Sequence, residues 1–273
     1  MPVAHRTLAT PPAAALSCLG ALLLAVCGTM LTPAPALAQS DKWEVDLAPL
    51  YFWAARLDGD IGVNDAVVPV FLTFDDALDK LAGSFSLHVG ARKGRWGVVG
   101  DVYFLRLTTD ATFTTPVLPR EITGEADLGM VIVDAGMSWA VRPGSSLSLI
   151  GGLRTYTLSP RLTVTGDTLQ RTLIDTSETA VGGFGGITFR PKLGRKAQLL
   201  GRADIGTGQA FTWSSTLGVE YRFASWVGAM AGYKAFGIDT GEVAVDRRLV
   251  NKVEYSTIQY GPIFSLTFHW TQK

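Results

Sequence analysis

Tyr260-Gly261-Pro262-Ile263-Phe264-Ser265-Leu266-Thr267-Phe268-His269-Trp270, near the end of a 273-residue chain, decides the fold. Tyr260, Pro262, Phe264, Leu266, Phe268 and Trp270 form one register, aromatic or apolar. Gly261, Ile263, Ser265, Thr267 and His269 form the other, mostly small or polar. Successive strand side chains point to opposite faces. Such a segment therefore reads as a strand with lipid on one side and a packed or wet lumen on the other.

The N-terminus supports this reading over a soluble sandwich edge. Residues 1–38 carry a short basic start (His5, Arg6), an apolar stretch from Ala13 to Val26, and Ala36-Leu37-Ala38 before Gln39. This is the pattern of a cleaved secretory signal peptide, and the apolar stretch is short for a membrane-spanning helix. Both cysteines, Cys18 and Cys27, lie within residues 1–38, and Val26 makes the Cys27 context a poor lipoprotein site. The remainder, 39–273, is expected to form one domain without disulfides, thiol catalysis or a thiolate metal site. It carries 23 Lys and Arg against 24 Asp and Glu, a net charge near −1, with no basic stripe for nucleic acid.

Ten segments of barrel-strand length follow: 42–54, 84–92, 96–107, 126–141, 146–158, 178–190, 197–206, 211–223, 226–238 and the terminal strand. The eighth is the clearest, with Phe211, Trp213, Leu217, Val219, Tyr221 and Phe223 against Thr212, Ser214, Thr216, Glu220 and Arg222. In the first, Trp43, Val45, Leu47, Tyr51 and Trp53 share one face and Glu44, Asp46 and Ala48 the other. The sixth is blurred by Gly182, Gly183, Gly185 and Gly186, which mark a bend or a tight spot inside the barrel. Short turns at 93–95, 143–145, 191–196 and 224–225 alternate with longer loops at 55–83, 109–125, 159–176 and 239–253; a short link at 207–210 is the exception. Tight turns and both termini on one rim, with long loops on the other, is the outer-membrane plan, turns facing the periplasm. The expected fold is all-β, a transmembrane antiparallel β-barrel of about ten strands, with eight and twelve as alternative counts. Val67 to Phe74 would add a hairpin within the first loop, followed by a short helix at Asp75 to Leu81.

All seven tryptophans fall near strand ends. Indole favours the membrane–water interface, so Trp43, Trp53, Trp96, Trp139, Trp213 and Trp270, on the apolar register, are expected to form an interfacial aromatic belt. Trp226, at a turn, lies off that register.

Several segments carry a resemblance. They include Ala48-Pro49-Leu50-Tyr51-Phe52-Trp53 with Leu57-Asp58-Gly59, and Phe74-Asp75-Asp76-Ala77-Leu78-Asp79-Lys80-Leu81. They also include Gly90-Ala91-Arg92-Lys93-Gly94-Arg95-Trp96-Gly97, Gly201-Arg202-Ala203-Asp204-Ile205-Gly206, Gly218-Val219-Glu220-Tyr221-Arg222-Phe223 and Ala231-Gly232-Tyr233-Lys234. The chain resembles a family of proteobacterial outer-membrane β-barrels of unassigned function, related to OmpA/OmpW-type barrels. The terminal aromatic strand resembles the signal such barrels present to their insertion machinery, although here Thr271-Gln272-Lys273 follows the last aromatic. The resemblance implies a location, the outer membrane of a Gram-negative bacterium, and a fold; it supplies no reaction.

Chemistry is sought among the inward charges. If Arg142 pairs with Ser146 across the fourth–fifth turn, Asp134 stands opposite Arg154. Asp101, Arg202, Asp204, Glu220, Arg222 and Lys234 add inward charge of both signs. Paired charges of this kind either line a narrow polar path or plug the interior. If Arg92 pairs with Gly97, His88 faces Asp101, with Ser84 and Ser86 on the same face. That pair is the one weak candidate for a general base, and His269 is the other histidine past residue 38. Both histidines lie towards the periplasmic side, so a structural role is expected and no catalytic residue is assigned. Asp58 and Asp60 begin like a calcium loop, but the spacing then fails, and no metal or cofactor is expected.

The expected function is an outer-membrane barrel with a structural role or a narrow passive pore for small solutes. The alternatives are a barrel enzyme acting on lipid or peptide, and a surface-binding barrel acting through the loops at 55–83 and 159–176. Expected partners are outer-membrane lipid, lipopolysaccharide and the barrel-insertion machinery, with a small solute as a further candidate and nucleic acid excluded.

Overall fold

A computed structural model describes residues 42–49, 51–63, 66–72, 81–115, 118–165, 170–175, 177–247 and 250–271. Among them, the strands are β1 (Glu44–Ala48), β2 (Tyr51–Trp53), β3 (Arg56–Val63), β4 (Ala66–Leu72), β5 (Leu81–Lys93), β6 (Trp96–Thr115) and β7 (Leu118–Ala140). They continue with β8 (Leu147–Thr165), β9 (Gln170–Asp175), β10 (Glu178–Phe189), β11 (Ala197–Gly208), β12 (Phe211–Arg222), β13 (Val227–Arg247) and β14 (Val250–Thr271). All pairings are antiparallel, and β1 pairs both β5 and β14, which closes the sheet on itself. β1, β2 and β3 act as one interrupted stave along β14. β4 and β9 only extend hairpins, so the result is a closed ten-strand barrel. Closure matters because hydrocarbon offers no partner to an open sheet edge.

The alternation read from the sequence sets the two faces. Along β14, Phe264, Leu266 and Trp270 are exposed on the exterior, whereas Ile263, Ser265 and Thr267 are buried in the lumen. Val98, Leu149, Leu153, Ile205 and Val219 continue the apolar exterior around the barrel.

The first stave departs from simple alternation. β1 meets β14 in the register Val45↔Trp270, but β2 meets it as Trp53↔Ile263, so one extra residue is absorbed between them. A one-residue shift flips every later side chain to the other face. Tyr51 and Trp53 consequently turn inward and are buried, while Phe52 faces out. Trp53 is therefore not part of the exterior belt; Pro49, which cannot donate to the ladder, stands at the break. Tyr51 is anchored there by Ser86, whose Oγ lies 3.0 Å from the Tyr51 backbone N–H and also bonds the Tyr51 carbonyl.

Strand lengths divide the barrel. β10, β11 and β12 have 12 residues each, close to the 9–11 that cross a bilayer. β6, β7, β8, β13 and β14 have 19 to 23. The expected loops at 109–125 and 239–253 are thus largely hairpin, and β8–β9 occupies much of 159–176. Two adjoining groups, β6–β7–β8–β9 and β13–β14–β3–β4, rise past the short staves as sheet walls on the rim opposite the tight turns. The hairpin expected near 67–74 is β3–β4. The helix expected at 75–81 lies outside the described residues, except that Leu81 begins β5.

The glycines of β10 explain its blurred pattern. A Cβ on Gly186 would come within 2.1 Å of the Ala203 carbonyl oxygen and 2.6 Å of Asp204, whereas one on Gly183 meets nothing nearer than 3.8 Å. Gly186→Val is expected to destabilise the barrel by about 1–3 kcal/mol through overpacking. Gly183→Ala should stay within about 0.5 kcal/mol. Urea unfolding of the two variants from lipid vesicles, followed by tryptophan fluorescence, checks the order.

Candidate functional site

From the periplasmic turns outward, the inward positions change character in step. On β7 they run Ser138, Gly136, Asp134, Ile132, Met130; on β8, Ser148, Ile150, Gly152, Arg154, Tyr156, Leu158; on β13, Met230, Gly232, Lys234, Phe236, Ile238. On these strands the lumen is layered, with a vestibule, a charged waist and a mainly apolar outer plug; β12 differs, keeping Thr216, Ser214 and Thr212 inward.

The waist is one connected network. Arg154 donates from Nε to Asp134 Oδ1 at 2.7 Å and from Nη2 to Asp134 Oδ2 at 2.8 Å. Its Nη2 also lies 2.9 Å from Asp204 Oδ1, and its Nη1 donates to Thr212 Oγ1 at 3.2 Å. Arg202 donates to Asp204 Oδ2 (2.6 Å), Asp134 Oδ2 (2.7 Å) and Asp101 Oδ2 (2.8 Å). Both guanidinium groups lie against the Phe184 ring, at 5.1 and 5.2 Å from its centroid. The network continues through His88, whose Nδ1 is 2.8 Å from Asp101 and whose Nε2 is 3.1 Å from Asp46. Asp46 in turn accepts from Arg190 Nη1 at 3.2 Å. An imidazole donates from both nitrogens only as imidazolium, and the geometry around His88 suits that form. Asp204 has a side-chain exposure of 0% and Arg154 of 4%, whereas Arg202 and Asp101, at 16% and 20%, face the lumen.

Glu220 forms a second cluster nearer the periplasmic rim. It bonds His269 and Gln198, accepts from Thr267 Oγ1 at 2.7 Å, and lies 3.6 Å from Arg222 Nε. Lys234 stands apart from both clusters. Its Nζ lies 4.7 Å from the centre of Trp53, 5.3 Å from Tyr51 and 5.8 Å from Tyr103, and 3.4 Å from the Tyr51 hydroxyl. It joins the waist to the outer plug, in which Tyr51, Trp53, Tyr103, Met130, Ile132, Tyr156, Leu158, Phe236, Ile238, Tyr255 and Ile263 pack together. Tyr156 stacks on Phe236 at 6.2 Å, and Trp53 tilts against Tyr103 at 5.0 Å.

A cavity of about 210 Å³ is lined from Ser145 and Ser146 at a periplasmic turn to Tyr51, Ile132, Phe236 and Ile263 at the base of the plug. It runs from the vestibule past Asp101, Asp134, Arg154, Arg202 and Lys234 of the waist and ends against the plug. Among the described residues, no cluster of His, Cys, Asp and Glu is arranged to hold a metal ion.

Of the charges singled out in the sequence, the structure brings Asp101, Asp134, Arg154, Arg202 and Asp204 together, puts Glu220 and Arg222 in the second cluster, and leaves Lys234 in its aromatic cage. Asp46 and Arg190 are network members that sequence reasoning did not place there, whereas His88 stands opposite Asp101 as expected. Asp46 was legible from its phase with Ala48, whereas Arg190 was hidden by the glycine-rich strand before it and Pro191 after it. On the exterior, Trp43, Trp96 and Trp270 are exposed and Trp139 and Trp213 half-buried. Trp226 joins them as a stack with Phe268 and Trp270, at 6.2 and 6.3 Å.

A closed antiparallel barrel with an apolar exterior, a polar and charged lumen, and tight turns opposite long hairpins defines the class: a transmembrane β-barrel of the Gram-negative outer membrane. This is the architecture and location that the sequence resemblance implied. No protein-family model and no curated protein matches the chain. Similar solved structures include the translocator domain of autotransporter NalP from Neisseria meningitidis, at 14% identity over 93% of this chain and 96% of that one, TM-score 0.47. The outer membrane protease OmpT from Escherichia coli is similar at 7% identity over 86% and 99%, TM-score 0.48. Ail, the attachment invasion locus protein of Yersinia pestis, is similar at 12% identity over 84% and 99%, TM-score 0.31.

Removing one member of a buried ion pair leaves the other without compensation, at about 3–5 kcal/mol. Arg154→Met is expected to destabilise by that amount. Arg92→Ala, which breaks the exposed pair with Glu44, should lose at most about 1 kcal/mol. Adding Asp134→Asn to Arg154→Met should cost less than the sum of the single changes, because both remove the same interaction. Urea titration of wild type and the four variants, Asp134→Asn alone included, checks the series.

Proposed function

We propose that this protein is a closed outer-membrane barrel with a structural role, carrying no continuous path for solutes. The observation behind this reading is the stacking of two obstructions in one lumen. Ion-paired arginines and aspartates narrow the lumen at the waist, and a mainly apolar plug caps it on the outer side. An ion entering from the vestibule would have to pass charges already engaged with one another, then cross a layer packed mainly by aromatic and aliphatic side chains. Enzymatic use of His88 finds no support, since each ring nitrogen is occupied by a carboxylate and neither is left to take a substrate proton.

Single-channel recording of the refolded barrel in a planar bilayer tests the reading. Silence is expected from wild type. Discrete conductance steps whose ion selectivity changes in Arg154→Ala would replace it with a pore lined by the waist charges.

A second reading rests on the two walls that rise beyond the short staves. Backbone paired well past the span of a bilayer has no use in crossing it, and long outer connections are where barrels carry binding surfaces. On this reading the protein binds a partner at the cell surface. Deleting 159–176 should abolish whole-cell capture of that partner while heat-modifiable migration on gels, the mark of a folded barrel, persists. Loss of folding together with loss of capture would leave the closed structural barrel as the sole account.

A further inference from the structure

Formal charge over the whole chain is zero, yet its distribution along the barrel axis is sharply uneven. The four periplasmic connections, 93–95, 141–146, 190–196 and 223–226, contain Lys93, Arg95, Arg142, Arg190, Lys192, Arg195 and Lys196 and no Asp or Glu. Arg190 turns inward to Asp46, but Lys93, Arg142, Lys192, Arg195 and Lys196 are exposed. The acidic side chains concentrate at the other end, where Asp58, Asp60, Asp127, Asp239 and Glu254 belong to the outer hairpins.

The basic rim lies beside the aromatic girdle. Trp96 packs on Trp139 with ring centres 6.4 Å apart, and the Arg95 guanidinium covers the Trp139 ring at 3.9 Å. Arg95 is fixed in that place by donating to the Ala140 and Val141 carbonyl oxygens at 3.1 and 2.9 Å. Trp226, at the turn into β13, and Phe268 and Trp270, on β14, carry the girdle farther round the rim. Indole rings seek the level of the lipid headgroups, so cations held beside them stand in the plane of the phosphates. The longest of these connections, 190–196, is itself tied back by Leu193 N–H to Ala197 O and Leu199 N–H to Pro191 O, both 2.9 Å. Connections this short and this well pinned do not reach an anionic polymer farther into the periplasm.

We infer that the periplasmic rim is a docking ring for anionic phospholipid headgroups of the inner leaflet, with Lys93, Arg95, Arg142, Lys192, Arg195 and Lys196 as its cationic contacts. Headgroup selection there is electrostatic: a phosphodiester without a compensating ammonium is drawn to the ring, whereas a zwitterionic headgroup carries its own cation. The ring also fixes orientation, since the acidic hairpins at the other end are repelled by the same surface. The inference is independent of whether the lumen conducts.

The test is native mass spectrometry of the refolded barrel in detergent. It is titrated with phosphatidylglycerol or phosphatidylethanolamine of identical acyl chains, at low and at raised ammonium acetate. Wild type is expected to retain phosphatidylglycerol in preference, and the preference should fall as salt rises. Each basic side chain near an anionic surface contributes roughly fivefold to binding. Lys192→Gln/Arg195→Gln/Lys196→Gln should therefore lower the preference more than tenfold, with heat-modifiable migration confirming the fold. Lys93→Gln/Arg142→Gln, on two other turns, gives an independent reading of the same ring. Equal retention of both lipids by wild type, or a preference that survives both variants and raised salt, would overturn the inference. So would variants that keep the lipid preference but lose co-sedimentation with peptidoglycan sacculi.

Discussion

Two guanidinium groups, Arg154 and Arg202, hold Asp101, Asp134 and Asp204 together across the waist of the barrel, and the rest of the interior is arranged around that contact. The five side chains come from β6, β7, β8 and β11, so the network ties opposing parts of the wall through the lumen. The missing side chain at Gly186 leaves room for Asp204 against the neighbouring backbone. Phe184 supplies a ring face to both arginines. A low-dielectric interior tolerates such charges only when their partners and hydrogen bonds are complete. Here the network extends outward through His88 and Asp46 to Arg190, where it meets the periplasmic vestibule.

Strict alternation made most of this legible beforehand. Once the strands are phased as in the terminal one, with Phe264 outward and Ser265 inward, pairing Arg142 with Ser146 across the β7–β8 turn brings Asp134 opposite Arg154, the register observed. His88 and Asp101 follow from the β5–β6 turn in the same way. What alternation cannot carry is a change of phase. The extra residue between Ala48 and Tyr51 inverts the first stave, and the sequence offers Pro49 as a break without saying that two aromatic rings turn inward after it. Nor does residue pattern reveal how far pairing continues once a strand has left the bilayer. Segments with Thr on both faces, such as 108–115, read as loop because neither face is continuously apolar, yet their backbones remain paired in β6 and β7.

That continuation shapes the outer end. A strand needs an apolar face only where it meets lipid; beyond the headgroups, water solvates either face and cross-strand hydrogen bonds alone suffice to prolong the ladder. The 12-residue staves β10 to β12 end at about the membrane's own span, while β13 and β14 run on as partners to Arg247 and Val250. An uneven rim follows directly from this difference, and with it the separation of an acidic outer end from a basic inner one.

The charged waist also bears on how the register is chosen. Slipping β8 by one residue relative to β7 would turn Arg154 towards lipid, where a cation at mid-membrane costs about 2–4 kcal/mol. Slipping by two residues would keep it inward but move it about 6.6 Å along the strand, away from both Asp134 oxygens and into either the vestibule or the apolar plug. An all-apolar lumen would penalise the two-residue slip far less, because one aliphatic contact replaces another without leaving a polar group unpaired. Bidentate pairing between Arg154 and Asp134 therefore does what packing volume alone cannot: it distinguishes the native register from the neighbouring one that places the same faces in lipid and lumen. The stability given up by burying charge is returned as a single way for the barrel to close.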